Sequence, residues 1–226
     1  MLLLLLAVLG LGAASLFLAT QGRARADDAR VQRTLRVLAE AREALAGFAV
    51  THGRLPRPAL SATDGREDPT PCLSEARCTG YLPWAALGVP RTDAWGKLLR
   101  YSVTPQYTDA PLQRTSAVAS KTVLTRSGGR IIYVAGNPDC SLGAQCVAAV
   151  VYSAGRNNFG TSAAGLRQAG PAENIDEAAN DRAVRDFMVR PATDDAQAPG
   201  GPFDDLLTWI GPDWLYRQMA QARVLP

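Results

Sequence analysis

Residues 2–20 form an apolar run that no charge interrupts: Leu2, Leu3, Leu4, Leu5 and Leu6 open it, and Ala7, Val8, Leu9, Leu11, Leu16, Phe17 and Leu18 carry it to Thr20. As a helix this run would extend roughly 28 Å at about 1.5 Å per residue, close to the hydrocarbon thickness of a bilayer. The pattern then changes character. Val31, Leu35, Leu38, Ala41, Leu45 and Phe48 recur at steps of three and four, with Arg30, Arg33, Arg36, Glu40, Arg42 and Glu43 between them. That period predicts an amphipathic helix with one apolar stripe. No proline falls before Pro56, so the two segments fit one rod of about 50 residues, closed by Gly53 and the Leu55-Pro56-Arg57-Pro58 break. Two separate helices hinged near Gly22 are the alternative.

Past the break the spacing shortens. Residues 56–80 are rich in Pro, Gly, Asp and Thr and predict a loop. Residues 98–103, 117–124, 131–134 and 146–152 read as strands, with Ser127-Gly128-Gly129 as a hairpin turn between the second and third. Short turns between strands predict an antiparallel meander, because parallel pairs need long crossovers. Residues 154–202 predict a long extended connection, within which 175–188 also fits a short helix. Phe203, Leu206, Leu207 and Ile210 resume helical spacing, and Pro212 restarts it with Leu215, Met219 and Ala222. The expected class is α+β. A long N-terminal helix, with a membrane half at 1–20 and an amphipathic half at 21–53, packs on a small antiparallel four-stranded sheet. The globular domain spans 54–226 and ends in helices.

Composition narrows the function. The 226 residues are 47% hydrophobic, and 24 Lys+Arg against 21 Asp+Glu leave +3. So small an excess, with no basic stripe between aromatics, argues against a nucleic-acid partner. A cleaved signal peptide competes with the anchor, since Ala24-Arg25-Ala26 before Asp27 has the small-x-small form. The apolar run is longer than the usual core of about 7–15 residues and no basic segment precedes it, which favours a retained anchor. Arg23, Arg25, Arg30, Arg33 and Arg36 follow the run, and the positive-inside rule alone would leave the domain cytoplasmic. The cysteines point the other way. Cys72 and Cys78 are six apart, as are Cys140 and Cys146, which suits two local disulfides in an oxidising compartment. Crossed pairing of the same four remains open. A zinc site competes less well: the spacing is not C-x2-4-C, and His52 is the one further soft ligand.

Several segments, in order, resemble type IV pilins and the pseudopilins of type II secretion. Thr92-Asp93-Ala94-Trp95-Gly96-Lys97-Leu98-Leu99-Arg100-Tyr101 is similar to the D-x-W-G-(N/K)-x-x-x-Y segment of major pseudopilins. Ser153-Ala154-Gly155-Arg156-Asn157 resembles the S-x-G-x-(D/N)-G segment after their last sheet strand. Residues 40–56, the L-P-W-x-x-L-G-(V/L)-P stretch at 82–90 and the F-D-D-(L/I)-x-x-W stretch at 203–209 look like parts of a set of bacterial pilin-like proteins. The likeness spans most of residues 35–226. It departs at the start, where the family has a basic leader and an early glutamate: here Met1 stands directly before the apolar run, and no glutamate precedes Glu40. An upstream start with a basic leader would put those charges on the cytoplasmic side and reconcile the arginines with an exported domain.

What the resemblance implies is a membrane-anchored structural subunit of a type II secretion or type IV pilus-related system. Its partners would be the inner membrane, other pilin or pseudopilin subunits and secretion machinery, with one membrane pass and the domain in the periplasm. A non-assembling, periplasm-facing binding module of the same fold is the alternative, and a secreted enzyme behind a signal peptide is a third. Major pseudopilins bind calcium in the loop after the last strand. The matching stretch, 155–190, offers the hard oxygen donors Asp176, Glu177, Asn180 and Asp181 as candidate ligands, against a solvated acidic helix turn as the plain reading. On the residues alone, Trp95 is expected to be a buried plug, His52 a C-terminal helix cap, and Asp204-Asp205 a helix start complementing the dipole. Ser153 lacks a G-x-S-x-G elbow, and Gly128-Gly129 and Gly155 to Gly160 lack the Lys-Ser/Thr of a phosphate loop, so no enzymatic site is expected.

Overall fold

The computed structural model describes residues 2–115, 117–157 and 159–224, with side chains from Gly22 onward except Arg23. Helix α1 has the bounds Leu2–His52. Leu38, Ala41, Leu45 and Ala49 are buried along it at the three-four spacing of one helix face. Leu35, expected in the stripe, is 40% exposed, and Thr34 is buried instead. The reason is local: the Thr34 hydroxyl accepts the Ala94 N–H at 3.1 Å, fixing which edge of the helix faces the domain. Gly53 ends the helix at φ +68°, its N–H reaching the Ala49 carbonyl at 2.9 Å. His52 stacks on Phe48 with ring centroids 3.8 Å apart, its Nδ1 3.1 Å from the Phe48 carbonyl. Among the described residues no helix is long and apolar enough to cross a membrane. The side chains of the run at 2–20, where the membrane half was expected, lie outside them.

Strand β1 (Thr79–Tyr81), helix α2 (Trp84–Leu87) and strand β2 (Arg100–Val103) follow. The hairpin β3 (Thr122–Ser127) and β4 (Arg130–Ala135), β5 (Ala149–Ser153), and the two-residue strands β6 (Gly160–Thr161) and β7 (Arg167–Gln168) come next. Helix α3 (Ile175–Arg182), β8 (Asp186–Met188), β9 (Leu206–Ile210) and α4 (Pro212–Gln221) complete the chain. The molecule is α+β with a four-stranded antiparallel sheet in the order β1-β2-β5-β9.

The sheet is not the expected meander. The hairpin β3–β4 leaves it and pairs in parallel with β8, making a separate three-stranded sheet in the order β4-β3-β8. Its places are taken by β1, from the segment read as a loop, and by β9, from the segment read as a helix. Both faces of β5 and β9 are covered, which removes the period-two signal a half-buried strand would show. Ala149, Val151, Leu206 and Ile210 join the cluster under α1. Val150, Tyr152, Leu207 and Trp209 join a second cluster with Val123, Ala178 and Phe187 on the opposite face.

Both cysteine pairs are local disulfides, Cys72–Cys78 and Cys140–Cys146, with Cα atoms 5.1 and 5.8 Å apart. Cys72, Cys78 and Cys146 are buried members of the α1 cluster, so the bridges pack the core as well as closing loops.

Candidate functional site

Four stretches distant in sequence converge where β5 ends. Asp93 is buried; its Oδ1 accepts the N–H groups of Trp95 and Lys97, both at 2.9 Å, and its Oδ2 accepts the Ser153 hydroxyl at 2.6 Å. The same hydroxyl accepts the Gly155 N–H at 3.1 Å, so the Asp93 turn and the loop after β5 are tied through one oxygen. The Lys97 ammonium, on a residue only 5% exposed, donates to the Ala154 carbonyl at 3.1 Å and to the Asn157 carbonyl. Trp95 is half-buried rather than a core plug, and its Nε1 has no hydrogen-bond partner among the described residues.

The carboxylates come from the other side. Helix α3 inverts the usual amphipathic order: Ile175 is 58% exposed, while Asp176, Glu177 and Asn180 are buried. Glu177 accepts the Asp204 N–H at 2.7 Å and the Asn174 amide at 2.6 Å. Asp204 Oδ2 accepts the Asn157 N–H at 3.0 Å. Asn180 donates to Asp205 Oδ2 at 2.8 Å and to the Met188 carbonyl at 2.9 Å, and accepts the Met188 N–H at 2.6 Å. One oxygen each from Glu177, Asp204 and Asp205 lies within 4.8 Å of the others. Asp204 Oδ1 and Asp205 Oδ1 are buried without a hydrogen-bond partner among the described residues. Gly155 makes the close approach possible: at φ +56°, a Cβ there would meet Asp204 Oδ1 at 2.0 Å.

Burial sets the electrostatics. It holds the Asp205 carboxyl well above its ordinary value, outweighing the Asn180 hydrogen bond. Burial, reinforced by the Glu177 charge, lifts Asp204 to about 6. Glu177 and Asp93 are raised by burial as well. Lys97 is pushed down by burial, against the pull of Asp204, Asp93, Asp205 and Glu177. The Lys97 ammonium and the Arg156 guanidinium, 3.9 Å from Asp204 Oδ2, are the positive groups facing the four carboxyls, and burial still holds those carboxyls toward their protonated form.

Of the candidate calcium ligands, only Glu177 points its carboxylate into this cluster. Asp176 is held by Arg126 at 2.8 Å and by Arg190 at 2.9 Å. Asp181 pairs with Arg167. Asn180 stands behind Asp205 as a hydrogen-bond donor. The turn is not a solvated one, since Asp176, Glu177 and Asn180 are buried. Sequence reasoning missed Lys97 as a participant and placed Asp204 and Asp205 at a helix start, whereas they lead into β9. The Leu206–Ile210 spacing had suggested the helix; the one available signal against it was the β-favouring Thr208-Trp209-Ile210 beside the carboxylates.

A separate cavity of about 460 Å³ lies beside the second disulfide, lined by Tyr107, Arg114, Leu142, Cys146, Pro212 and Tyr216. The hydroxyls of Tyr107 and Tyr216 bond to each other at 2.9 Å in its wall.

No protein-family model, no curated protein and no solved structure matches this chain.

Proposed function

We propose that the chain is a structural subunit of pilin or pseudopilin type, anchored by residues 2–20 in a bacterial inner membrane and presenting its domain to the periplasm. The observation that carries this reading is how α1 divides. From Thr34 to Ala49 it buries one face against the sheet and α4, whereas residues 24–33 are exposed apart from partial cover at Asp27 and Val31. An uncharged run of bilayer length joined to the domain through this solvated, arginine-rich stretch has lipid and neighbouring helices as its natural surroundings. The two disulfides fit an oxidising compartment. The family's segments at 92–101, 153–157 and 203–209 meet at one place, around Asp93, Ser153 and Asp204.

Calcium belongs to the same proposal. Glu177, Asp204 and Asp205 form an oxygen-only donor set, and two of their oxygens are buried without partners among the described residues. Such a set fits a hard divalent cation, which would supply positive charge in place of the protons the buried carboxyls otherwise retain. Lys97 and Arg156 supply positive charge of the protein's own, and the Asn157 and Gly155 loop holds Asp204 in place. On this reading calcium raises the melting temperature at pH 7 and chelation lowers it; a melting temperature indifferent to both removes the metal from the proposal.

The anchor is tested by washing membranes of expressing cells at alkaline pH and sequencing the amino terminus. A subunit stays in the pellet with residues 2–20 attached; mature soluble protein beginning at Asp27 contradicts it. The second reading, an anchored module that binds without assembling, is favoured by the 460 Å³ cavity. Sedimentation of the full chain in detergent, with and without polar substitutions in residues 2–20, separates the two: a subunit forms multimers that depend on that run, and a module forms none that do.

A further inference from the structure

The hairpin β3–β4 ends in an edge strand with an unusual surface. Ile131, Ile132, Tyr133 and Val134 are 53%, 45%, 42% and 47% exposed, so four consecutive large apolar side chains face solvent on both sides of the strand. β4 is the outer member of the order β4-β3-β8. Edges of this kind are normally blunted by charge or proline, and neither occurs from Ile131 to Ala135.

Register decides which backbone groups are free. Ser127 pairs with Arg130 across the two-residue Gly128-Gly129 turn, then Arg126 with Ile131, Thr125 with Ile132 and Leu124 with Tyr133. In an antiparallel ladder, hydrogen-bonded and non-hydrogen-bonded pairs alternate. Starting from the closing pair, Arg130 and Ile132 turn their N–H and C=O groups toward β3, and Ile131 and Tyr133 turn theirs outward. No other backbone hydrogen bond occupies those outward groups among the described residues. Beyond Tyr133 the register shifts, with Val123 opposite Ala135. The usable outer edge is therefore Ile131 to Tyr133, with Ile132 at its centre.

We propose that this edge docks a second copy of the chain, β4 against β4, antiparallel about Ile132. Only that centre keeps both outward-bonding residues paired with each other. A centre at Ile131 would run into the Gly128-Gly129 turn, and one at Tyr133 into the register shift. In the docked pair Ile131 faces the copy's Tyr133 in two equivalent aromatic–aliphatic contacts, and Ile132 faces its own twin on the opposite side of the sheet. Arg130 lies opposite the copy's Val134, with its stem over the apolar side chain and its charge toward solvent. The two Arg130 charges sit roughly 14 Å apart, beyond the screening length near 8 Å at physiological salt, whereas parallel pairing would bring them side by side. The two three-stranded sheets become one of six strands. Four side chains supply roughly half of the ~800 Å² per partner that a standard interface buries, so the contact is weak at low concentration and fills when copies are held close together.

The site does not depend on the reading of residues 2–20. Its test uses the full chain carrying Ile132→Cys or Ile131→Cys, oxidised mildly in intact expressing cells and then purified. Across a non-hydrogen-bonded pair, position 132 meets its twin with Cα atoms at about 4.5 Å, within disulfide range. Position 131 lies roughly 8 Å from its twin, outside that range. The expected result is a reducible species of twice the chain mass for I132C, at several-fold higher yield than for I131C, with both variants melting as the parent does. Equal yields, no dimer for I132C, or disulfide adducts of the I132C variant with a different polypeptide overturn the proposal. Ile132→Glu, which places two like charges across the two-fold, is expected to lower the association seen at high protein concentration in detergent when the domain stays folded, leaving any association through α1 as it was; association unchanged at every concentration also overturns it.

Discussion

Gly155 and Asp204 show how one backbone position governs the acidic cluster. A Cβ at residue 155 would sit 2.0 Å from Asp204 Oδ1, and the residue also holds a φ of +56°. Gly155→Ala should cost more than the ~1–2 kcal/mol of the left-handed backbone alone, because the carboxylate has to move as well. Denaturant unfolding of the variant measures this, and a loss within a few tenths of a kcal/mol would show that the cluster is not closely built. The carboxyls also set a pH dependence. Asp204 is held at about 6 in the folded protein against an ordinary 3.8, with Asp205, Glu177 and Asp93 raised in the same direction. The folded state therefore keeps protons that the unfolded chain releases, so this contribution is fully present below pH 3.8 and is lost as the pH rises through about 6. The metal-free protein should lose stability between about pH 4 and pH 7, with a shallower fall in Asp204→Asn; calcium should restore stability at the upper end. A slope unchanged in Asp204→Asn would place the titration elsewhere. Glu177 was legible in the sequence as an oxygen donor near a loop, but Asp204, Asp205 and Lys97 were not legible as its neighbours. Nothing local in the chain reports that residues 93–97, 153–157, 177 and 204–205 meet.

At the scale of elements, α1 is where pattern and packing agree best. Leu38 and Leu45 are 1% and 0% exposed, on the stripe that the three-four spacing marks. Leu45→Ala should cost about 2–5 kcal/mol, whereas Leu35→Ala, at a position 40% exposed, should change stability by about 0.5 kcal/mol or less. The β3–β4 hairpin was legible for a related reason: Gly128 and Gly129 both hold positive φ, which the two-residue turn requires. Strand β9 was not legible, because Leu206, Leu207 and Ile210 are spaced as on a helix face and both of its sides are covered. Helix α3 was half legible, since its buried face is the polar one. The disulfides add a further expectation. Replacing Cys72 and Cys78 together by alanine should cost about 2 kcal/mol from the short ring plus the packing lost in the core. A smaller loss, measured by denaturant unfolding, would mean that the bridge contributes little beyond local order.

For the whole molecule, a domain built around one face of α1 is joined to a bilayer-length apolar run through an exposed, arginine-rich stretch. The acidic cluster lies where β5 ends and β9 begins, tied to α1 through Arg156, which reaches both Asp27 and Asp204, and the apolar hairpin edge lies on a separate sheet. The hairpin edge can therefore be altered without touching the carboxylates. The central claim is that residues 2–20 stay in the membrane with the domain on its outer, oxidising side. Protease added to intact spheroplasts of cells expressing the full chain tests it directly, read by a label on the carboxyl terminus and by alkylation of free thiols. The expected result is that the domain is digested from outside while a short N-terminal fragment remains with the membrane, and that all four cysteines resist alkylation until reduced. A domain protected until the membrane is breached, with reactive thiols, would contradict it.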